Sequence, residues 1–241
     1  GVVSSHANIV TLTMMNVIAS PSRPNRGGAG IVCAPLFHIG GAGSTIAGIY
    51  NGQHTLLHRV FDPVEVVKDI EQYPVDAIFM VPAMIMAVLQ LPGIEDRDFS
   101  NLRQIFYGAS PISETVLRRA IEVFRETGNA PGEATAMQAL ATTEANEGMV
   151  EALGHSREAI ALHERAGSRS PGLASHTGLA SVLYHIGEYG ESKKVLDEAR
   201  AMSVREGNQS MEGAAAAMQS RRAALEGCYG EAIVHGLETE E

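Results

Sequence analysis

A histidine beside two glycines is the feature of this sequence with the clearest chemical potential. The segment reads Ala34-Pro35-Leu36-Phe37-His38-Ile39-Gly40-Gly41, and it follows the apolar, β-branched run Gly30-Ile31-Val32-Cys33. Such a run is typical of a buried strand, and glycines let the backbone approach a ligand closely. His38 is therefore either a structural residue at the end of a strand or a ligand-contacting side chain at a glycine-lined opening.

Other groups of reactive side chains give weaker signals. His54 and His58 flank a predicted strand, and the remaining histidine pairs lack both the i,i+4 spacing and the neighbouring carboxylates of a metal site; these pairs are His155/His163 and His176/His185. No Gly-x-Ser-x-Gly segment supports a serine nucleophile. We therefore expect no metal site, and we expect surface or packing roles for these histidines.

The elements that must position His38 alternate between strands and helices. Apolar runs predict strands at 30–33, 54–58, 77–81 and 102–107. Capping and proline signals predict helices at 44–50, from Asp62-Pro63 onward, at 83–91 and after Ser113 or Ser110. This alternation predicts an α/β fragment, with a partial, mainly parallel sheet and covering helices.

Four blocks of the first half resemble the adenylate-forming (AMP-binding) enzymes, and most of all their acyl-CoA synthetase branch. The blocks stand in the order and spacing of that family, and they read GVVSSHANIV at 1–10, APLFHIGG at 34–41, VPAMIMAVLQLP at 81–92 and LRQIFYGASPISETVLRRA at 102–120. The agreement of four separate blocks makes the resemblance specific. It covers residues 1–127 and a central slice of such an enzyme.

The resemblance implies an acid–thiol ligase that forms AMP. In that family, ATP and magnesium convert a carboxylic acid, such as a fatty acid, to an acyl-adenylate, and coenzyme A then forms the thioester. By resemblance, one set of residues would contact the acyl group and its adenylate, namely His38, Gly40, Gly41, Val81, Pro82 and Met84. A second set would lie along the adenine, where small residues admit a flat base, namely Gly108, Ala109, Ser110 and Pro111. An ordinary strand-to-helix turn is the alternative for this second set.

The sequence departs from the family pattern on both sides of the matching blocks. Gly1 corresponds to the last glycine of the family's phosphate loop, and the aromatic-glycine-x-threonine-glutamate block does not follow the helix that ends near Phe124. Thr142-Thr143-Glu144 echoes that block only by chance, because no aromatic-glycine pair precedes it. Two further residues of the family pattern also have no counterpart. By resemblance, they are a later aspartate that would hold the ribose hydroxyls and a C-terminal lysine that would stabilise the charge that develops during adenylation. Since one lost electrostatic group can cost about 10²–10³ in rate, we expect this chain alone to be incomplete and inactive.

The second half has a different composition. From about Gly128 the sequence becomes rich in Ala, Glu, Leu and Met, which favours helices. The motifs GHSREA at 154–159, GEYGES at 187–192 and GCYGEA at 227–232 resemble one another, and each is predicted to begin a helix after a glycine turn. Residues 128–241 are therefore similar to tetratricopeptide-like helical repeats, which would bind a protein or peptide.

Charge and composition exclude several classes of protein. The formal charge is −10, and no basic stripe suggests a nucleic-acid partner. The two cysteines cannot form a disulfide framework, and no apolar run approaches the roughly 20 residues of a membrane span. We expect a cytoplasmic protein without a signal peptide.

Two functional hypotheses follow from this organisation. In the first, residues 1–127 are a partial adenylate-forming domain with an acyl and an adenine pocket. In the second, residues 128–241 are a helical-repeat interaction module. The change of composition near 125–130 suggests a fusion, a truncation or an assembly artefact. We expect exposed apolar sheet edges and faces to make the first half prone to aggregation or dependent on a partner.

Overall fold

The computed structural model describes residues 3–19, 28–102, 104–108, 110–167, 169–207, 209–228, 230–231 and 234. The chain divides into two compact units, residues 1–136 and 137–241. Among the described residues, no helix combines the length and the apolar character that crossing a membrane requires.

The first unit contains a four-stranded parallel sheet. Its strands are β1 (Ala29–Val32), β2 (His54–Leu57), β3 (Val75–Met80) and β4 (Gln104–Tyr107), in the order β2-β1-β3-β4. Five helices accompany the strands: α1 (His6–Ala19), α2 (Ile39–Asn51), α3 (Pro63–Gln72), α4 (Pro82–Leu89) and α5 (Glu114–Glu126). The prediction of a mainly parallel sheet with covering helices is confirmed.

The strand order places a change of direction between the two central strands. From β1 the chain passes through α2 to β2 on one side, whereas from β3 it passes through α4 to β4 on the other side. Since crossovers between parallel strands are right-handed, α2 and α4 cover opposite faces of the sheet. The loops after β1 and β3 therefore diverge and leave a crevice at the carboxyl ends of these strands.

Helix α2 differs from its prediction. Residues 44–50 were the expected helix, whereas the observed helix begins at Ile39, directly after His38. Gly40, Gly41 and Gly43 lower the helix propensity of this first turn, but the turn is stabilised by its cap and by close packing. Local propensity is overridden here by tertiary contacts.

Asn129 links the segment at Phe99 and Leu102 to the helix that follows α5 by hydrogen bonds. It is buried between α5 and the next helix, α6 (Ala130–Asn146), and its amide nitrogen donates to the carbonyl oxygens of Phe99 at 2.8 Å and Leu102 at 2.6 Å. Its side-chain oxygen accepts from the Gly132 N–H at 2.9 Å, which satisfies one of the free amides in the first turn of α6. The start of α6 therefore belongs to the same compact unit as the sheet.

The second unit is helical in all its described elements. Beyond the part of α6 that it includes, its helices are α7 (Glu151–Arg165), α8 (Arg169–His185), α9 (Tyr189–Glu206) and α10 (Gln209–Leu225). Five glycines with positive φ separate them at intervals of 19 or 20 residues: Gly148, Gly167, Gly187, Gly207 and Gly227. A helical segment is thus present, and its assignment to a repeat family stays a prediction.

One of the three predicted motifs does not start a helix. Gly187 and Gly227 occupy turns, but Gly154 lies inside α7, and the turn before α7 is made by Gly148 at φ 76°. Glycine within a helix costs only about 1 kcal/mol, so its presence alone does not mark a turn. The copy at 154–159 is therefore out of phase with the other two.

Small and polar side chains pack between the helices of this unit. Ala159 is fully buried, and the buried Ser192 donates from Oγ to the carbonyl oxygen of Ala180 at 2.7 Å. Ala159 and Ser192 are the last residues of the first two motifs, and Ala232, the last residue of the third, lies outside the described residues. Clusters of alanine, leucine and valine side chains form the core, including Leu183, Leu196 and Val182.

The Asn129→Ala substitution should destabilise the first unit by about 3 kcal/mol. It leaves the buried carbonyl oxygen of Leu102 without its donor, removes one of the two donors of the Phe99 carbonyl oxygen, and removes the cap of α6. Asn101→Ala, which alters an exposed turn residue, should change the free energy of unfolding by no more than about 0.5 kcal/mol. Urea unfolding followed by circular dichroism measures both, and equal effects of the two variants would contradict the bridging role.

His163 should make the second unit sensitive to acid. The residue is 1% exposed, its Nδ1 has no hydrogen-bond partner among the described residues, and burial lowers its pKa from 6.5 to about 4. Between these values the unfolded chain binds a proton that the folded chain does not, so stability falls as the pH falls from about 6.5 to about 4.

The loss attributable to His163 over this range is about 3 kcal/mol at most. His163→Leu should flatten this part of the profile of unfolding free energy against pH. His6→Leu, which removes an exposed histidine, is the control. A profile that His163→Leu leaves unchanged would rule out this origin of acid sensitivity.

Candidate functional site

The predicted site residues of the first unit follow three neighbouring strands. His38 comes shortly after β1, Val81 directly after β3 and Gly108 directly after β4. Because the strands are parallel, these positions lie at one edge of the sheet. The loops after β1 and β3 border the crevice between the two central strands, where open α/β sheets bind their ligands.

His38 caps the helix that leaves this edge. Its backbone is extended, at φ −113° and ψ 146°, and its Nδ1 accepts from the Gly40 N–H at 3.2 Å. In the neutral ring the proton is then on Nε2, which leaves that nitrogen as a donor. His38 is exposed, so this donor is accessible from the solvent side of the edge. The structural and the ligand-contacting interpretation of His38 are therefore compatible, because the two ring nitrogens serve different purposes.

Gly41 permits the helix to start so close to the strand. A Cβ at this position would lie 2.3 Å from the carbonyl oxygen of Pro35 and 2.5 Å from that of Ala34. Backbone atoms cannot give way as a flexible side chain can, so a side chain at Gly41 requires the loop to move. Gly41 acts through the geometry of the loop that carries His38.

Phe79 connects the two predicted sets of residues. A Cβ on Gly40 would lie 2.8 Å from Cε1 of the Phe79 ring, and one on Gly108 would lie 3.7 Å from Cε2 of the same ring. Gly40 and Gly108 thus flank one aromatic side chain at the carboxyl end of β3. Sequence analysis missed Phe79, although its position two residues before Val81 at the end of a predicted strand was a usable signal.

Residues after β3 contribute a mostly apolar wall. Val81 is half-buried and precedes α4, Pro82 is buried at the first position of that helix, and Met84, two residues further on, is half-buried. The loop after β1 and the first residue of α2 add apolar side chains to the surface, since Leu36, Phe37 and Ile39 are 48%, 96% and 61% exposed. An exposed apolar surface at a strand edge is typical of a binding region.

The loop after β4 is open at its described positions. Gly108 is half-buried, whereas Ser110 and Pro111 are exposed; Ala109 lies outside the described residues. Ser113 caps α5, with Oγ accepting from the Val116 N–H at 3.4 Å, so Ser110 is not the cap. Burial raises the pKa of the neighbouring Tyr107 phenol.

The described residues at this edge support neither a metal site nor a reactive thiol. Among the described parts of the chain, no group of three or more His, Cys, Asp or Glu residues could hold a metal ion. Cys33 is buried at the end of β1, and burial raises the pKa of its thiol, which makes it a poor nucleophile. The site offers binding surfaces and a histidine donor.

Comparison with known proteins identifies the first two thirds of the chain. Residues 1–162 match the family model described as AMP-binding enzyme. The medium/long-chain-fatty-acid–CoA ligase FadD8 of Mycobacterium tuberculosis is 35% identical over 126 residues, which are 52% of this chain and 21% of that protein. Feruloyl-CoA synthase of Amycolatopsis sp. is 30% identical over 123 residues, 51% of this chain and 25% of that protein.

A solved structure shows a partial likeness. The o-succinylbenzoate coenzyme A synthetase of Bacillus subtilis in complex with ATP and magnesium ion is 22% identical, with a TM-score of 0.43 over 52% of this chain and 24% of that one. The chain spans about a quarter or less of the length of the two curated relatives named above. No family match supports the tetratricopeptide interpretation of residues 128–241.

The matched stretch includes Thr142-Thr143-Glu144, which lies inside α6. Both threonine hydroxyls donate to backbone carbonyls one turn earlier, at Gln138 and Ala139. Glu144 is 1% exposed, and one of its carboxylate oxygens is 2.6 Å from Nδ1 of His155. In this structure the segment packs within a helical unit.

Substitutions of two glycines on α2 should have opposite effects. Gly41→Ala places a methyl group against backbone carbonyls and should cost about 2–3 kcal/mol through displacement of the loop. Gly43→Ala has nothing within 4 Å of its new methyl group and should be neutral or stabilise α2 by up to about 1 kcal/mol. Thermal and urea unfolding of the two variants test this, and an equally well tolerated Gly41→Ala would disprove the close approach.

Proposed function

The chain belongs to the AMP-binding enzyme family, and we propose that the carboxyl edge of its sheet binds an acyl-adenylate as part of an adenylate-forming acid–thiol ligase. In this reaction a carboxylate oxygen attacks the α-phosphorus of ATP, and pyrophosphate leaves. The sulfur of coenzyme A then attacks the acyl carbon of the adenylate, the thioester forms, and AMP leaves. Both the family match and the names of the curated relatives support this class of reaction.

The observation that carries the proposal is the arrangement around Phe79. Gly40 and Gly108 flank this ring, so backbone from both proposed sets of ligand-contacting residues packs against the same side chain at the carboxyl end of β3. The N-terminus of the 13-residue helix α2 lies at the same edge, where its dipole favours a negatively charged group such as the phosphate of an adenylate. The shared contact with Phe79 supports the proposal that residues of two separate sequence blocks contribute to one site.

We assign the roles within this site as follows. His38 donates from Nε2 to the acyl-adenylate while its Nδ1 holds the start of α2, and Gly40 and Gly41 keep the backbone of that start close to the ligand. The small-residue loop lies along the adenine, through Gly108, Ala109, Ser110 and Pro111. Tyr107 precedes this loop directly, and partial burial raises the pKa of its phenol.

The acid substrate should be apolar. Val81, Pro82 and Met84 form one wall of the proposed acyl pocket, and Met84 can adapt to different acyl shapes because its side chain is unbranched. The exposed Leu36, Phe37 and Ile39 extend this apolar surface beyond the strand edge. A fatty or aromatic carboxylic acid fits this surface better than a polar acid does.

ATP and coenzyme A enter this proposal as substrates. When bound, magnesium would neutralise charge on the nucleotide phosphates, but the described residues hold no cluster of metal-binding side chains. We assign no magnesium ligand and no catalytic residue to this chain. The share proposed for it is the binding and orientation of the acyl-adenylate.

The proposal predicts saturable binding of a non-hydrolysable acyl-adenylate analogue to the full chain. Isothermal titration with an acyl sulfamoyl-adenosine should give binding that His38→Ala weakens about tenfold, through loss of a hydrogen bond to a charged group. Gly108→Trp should abolish binding, because the indole fills the space proposed for the adenine.

Two matched variants control for indirect effects. His6→Ala removes an exposed histidine of α1, and Gly43→Ala alters α2 at a point with free space. Both should bind the analogue like the unaltered chain. A folded chain that shows no binding, or binding that survives in both site variants, would overturn the proposal.

A further inference from the structure

The second unit contains a cavity that the ligase reaction does not use. It has a volume of about 90 Å³ and lies among α8, α9 and α10. Each helix supplies part of its lining, for example Tyr184 from α8, Leu196 from α9 and Arg222 from α10. A water molecule takes up about 30 Å³ in the liquid, so the space suits a group of only a few heavy atoms.

Two arginines give this cavity a positive charge. Arg222 is 6% exposed, and its Nη1 lies 2.6 Å from a carboxylate oxygen of Glu226, but its buried Nε has no hydrogen-bond partner among the described residues. Arg221, the next residue, also lines the cavity, and it has no hydrogen bond or ion pair among the residues that the structure describes. An unpaired buried donor costs about 1–3 kcal/mol, and more when the group is charged, unless a ligand or water satisfies it.

The positive charge of the two arginines contrasts with the net negative charge of the unit that contains them. Residues 137–241 hold 9 Lys and Arg against 16 Asp and Glu, a formal charge of −7. Two adjacent arginines with one nearby carboxylate therefore stand out against an acidic unit. Such a spot attracts anions that the rest of the unit repels.

The remainder of the lining is largely apolar with a few polar groups. Leu196, Met218 and Leu225 are apolar, and Tyr184 and Ser181, which carry hydroxyl groups, also line the cavity. A carboxylate on an apolar stem matches both features, since its oxygens can accept from guanidinium donors and its carbons can contact the leucine and methionine side chains. A phosphate would leave most of its oxygens without donors, because Glu226 already engages Arg222.

We propose that this cavity binds a carboxylate group carried on a short apolar stem. The carboxylate accepts from Nε of Arg222 and from the guanidinium of Arg221, and the stem lies against Leu196, Met218 and Leu225. The stem can belong to a free aliphatic acid or to a glutamate side chain of a bound peptide. This inference is independent of the ligase proposal, because all the residues involved lie in the second unit.

Butyrate is the probe that tests the cavity in the full chain. With methyl-¹³C methionine, the NMR signal of Met218, assigned from Met218→Leu, should shift saturably with a dissociation constant on the order of 1 mM, as expected for a ligand of about six heavy atoms. Butyramide, which has nearly the same shape but no charge, should shift the signal at least about tenfold more weakly. The methionine spectrum also reports whether each variant is folded.

Three arginine variants localise the binding. Arg221→Gln removes an exposed charge and should weaken butyrate binding about tenfold, and Arg222→Lys keeps a charge but loses Nε and should weaken it similarly. Arg205→Gln makes the same change of charge at an exposed residue of α9 that is not part of the lining, and it should leave binding within about twofold.

A capped tripeptide with a central glutamate distinguishes the two sources of the carboxylate. Tighter binding of the tripeptide than of butyrate supports a peptide ligand, and tighter binding of butyrate supports a free acid. The proposal is overturned if the Met218 signal stays unmoved in a folded chain at up to about 50 mM butyrate, which leaves the cavity to water. It is also overturned if butyramide binds equally well, or if Arg221→Gln and Arg222→Lys both bind like the unaltered chain.

Discussion

The close approach of α2 to the loop after β1 is the constraint on which the candidate site depends. The Cα of Gly41 packs against the carbonyls of Ala34 and Pro35 at a distance that excludes any side chain. Because the helix begins there, the His38 side chain can turn back onto the Gly40 N–H and cap it. The same approach brings Gly40 against the ring of Phe79, and so fixes the first loop relative to β3. A shift of α2 would therefore change the cap, the position of the histidine and the wall of the crevice together.

Sheet topology explains why residues far apart in sequence lie at the same edge of the sheet. His38, Val81 and Gly108 are separated by 43 and 27 residues along the chain, yet each follows a strand whose carboxyl end lies at the same edge. Segments that follow neighbouring parallel strands begin side by side. The order β2-β1-β3-β4 makes β3 the neighbour of both β1 and β4. Phe79 is on that shared strand. Its ring is consequently the one described side chain shown to lie against glycines from both predicted sets.

Sequence patterns predicted the sheet better than they predicted the details of the site. Runs such as Ile31-Val32 and Ile78-Phe79-Met80 are strongly β-forming and bounded by breakers, so the strands were predictable to within about two residues. The start of α2 was not, because three glycines in its first turn suggest a loop and only a tertiary contact makes them helical. Asn129 and Phe79 were missed for a related reason. An asparagine after a glycine indicates a turn, and an aromatic residue in a strand indicates core, but the partners that give each its role lie about 30 residues or more away in sequence.

The boundary between the two halves shows where the family relationship and the compact units differ. The family match extends to residue 162, whereas the compact unit that carries the sheet ends at residue 136. Asn129 and Gly132 give a physical reason for the second limit, since both anchor the first turn of α6 within the first unit. Beyond that turn the matched residues take part in helical packing, and the carboxylate of Glu144 is sealed from solvent against His155. The two limits differ because the family match follows similarity of sequence, whereas the compact unit follows the packing of the helices and the sheet.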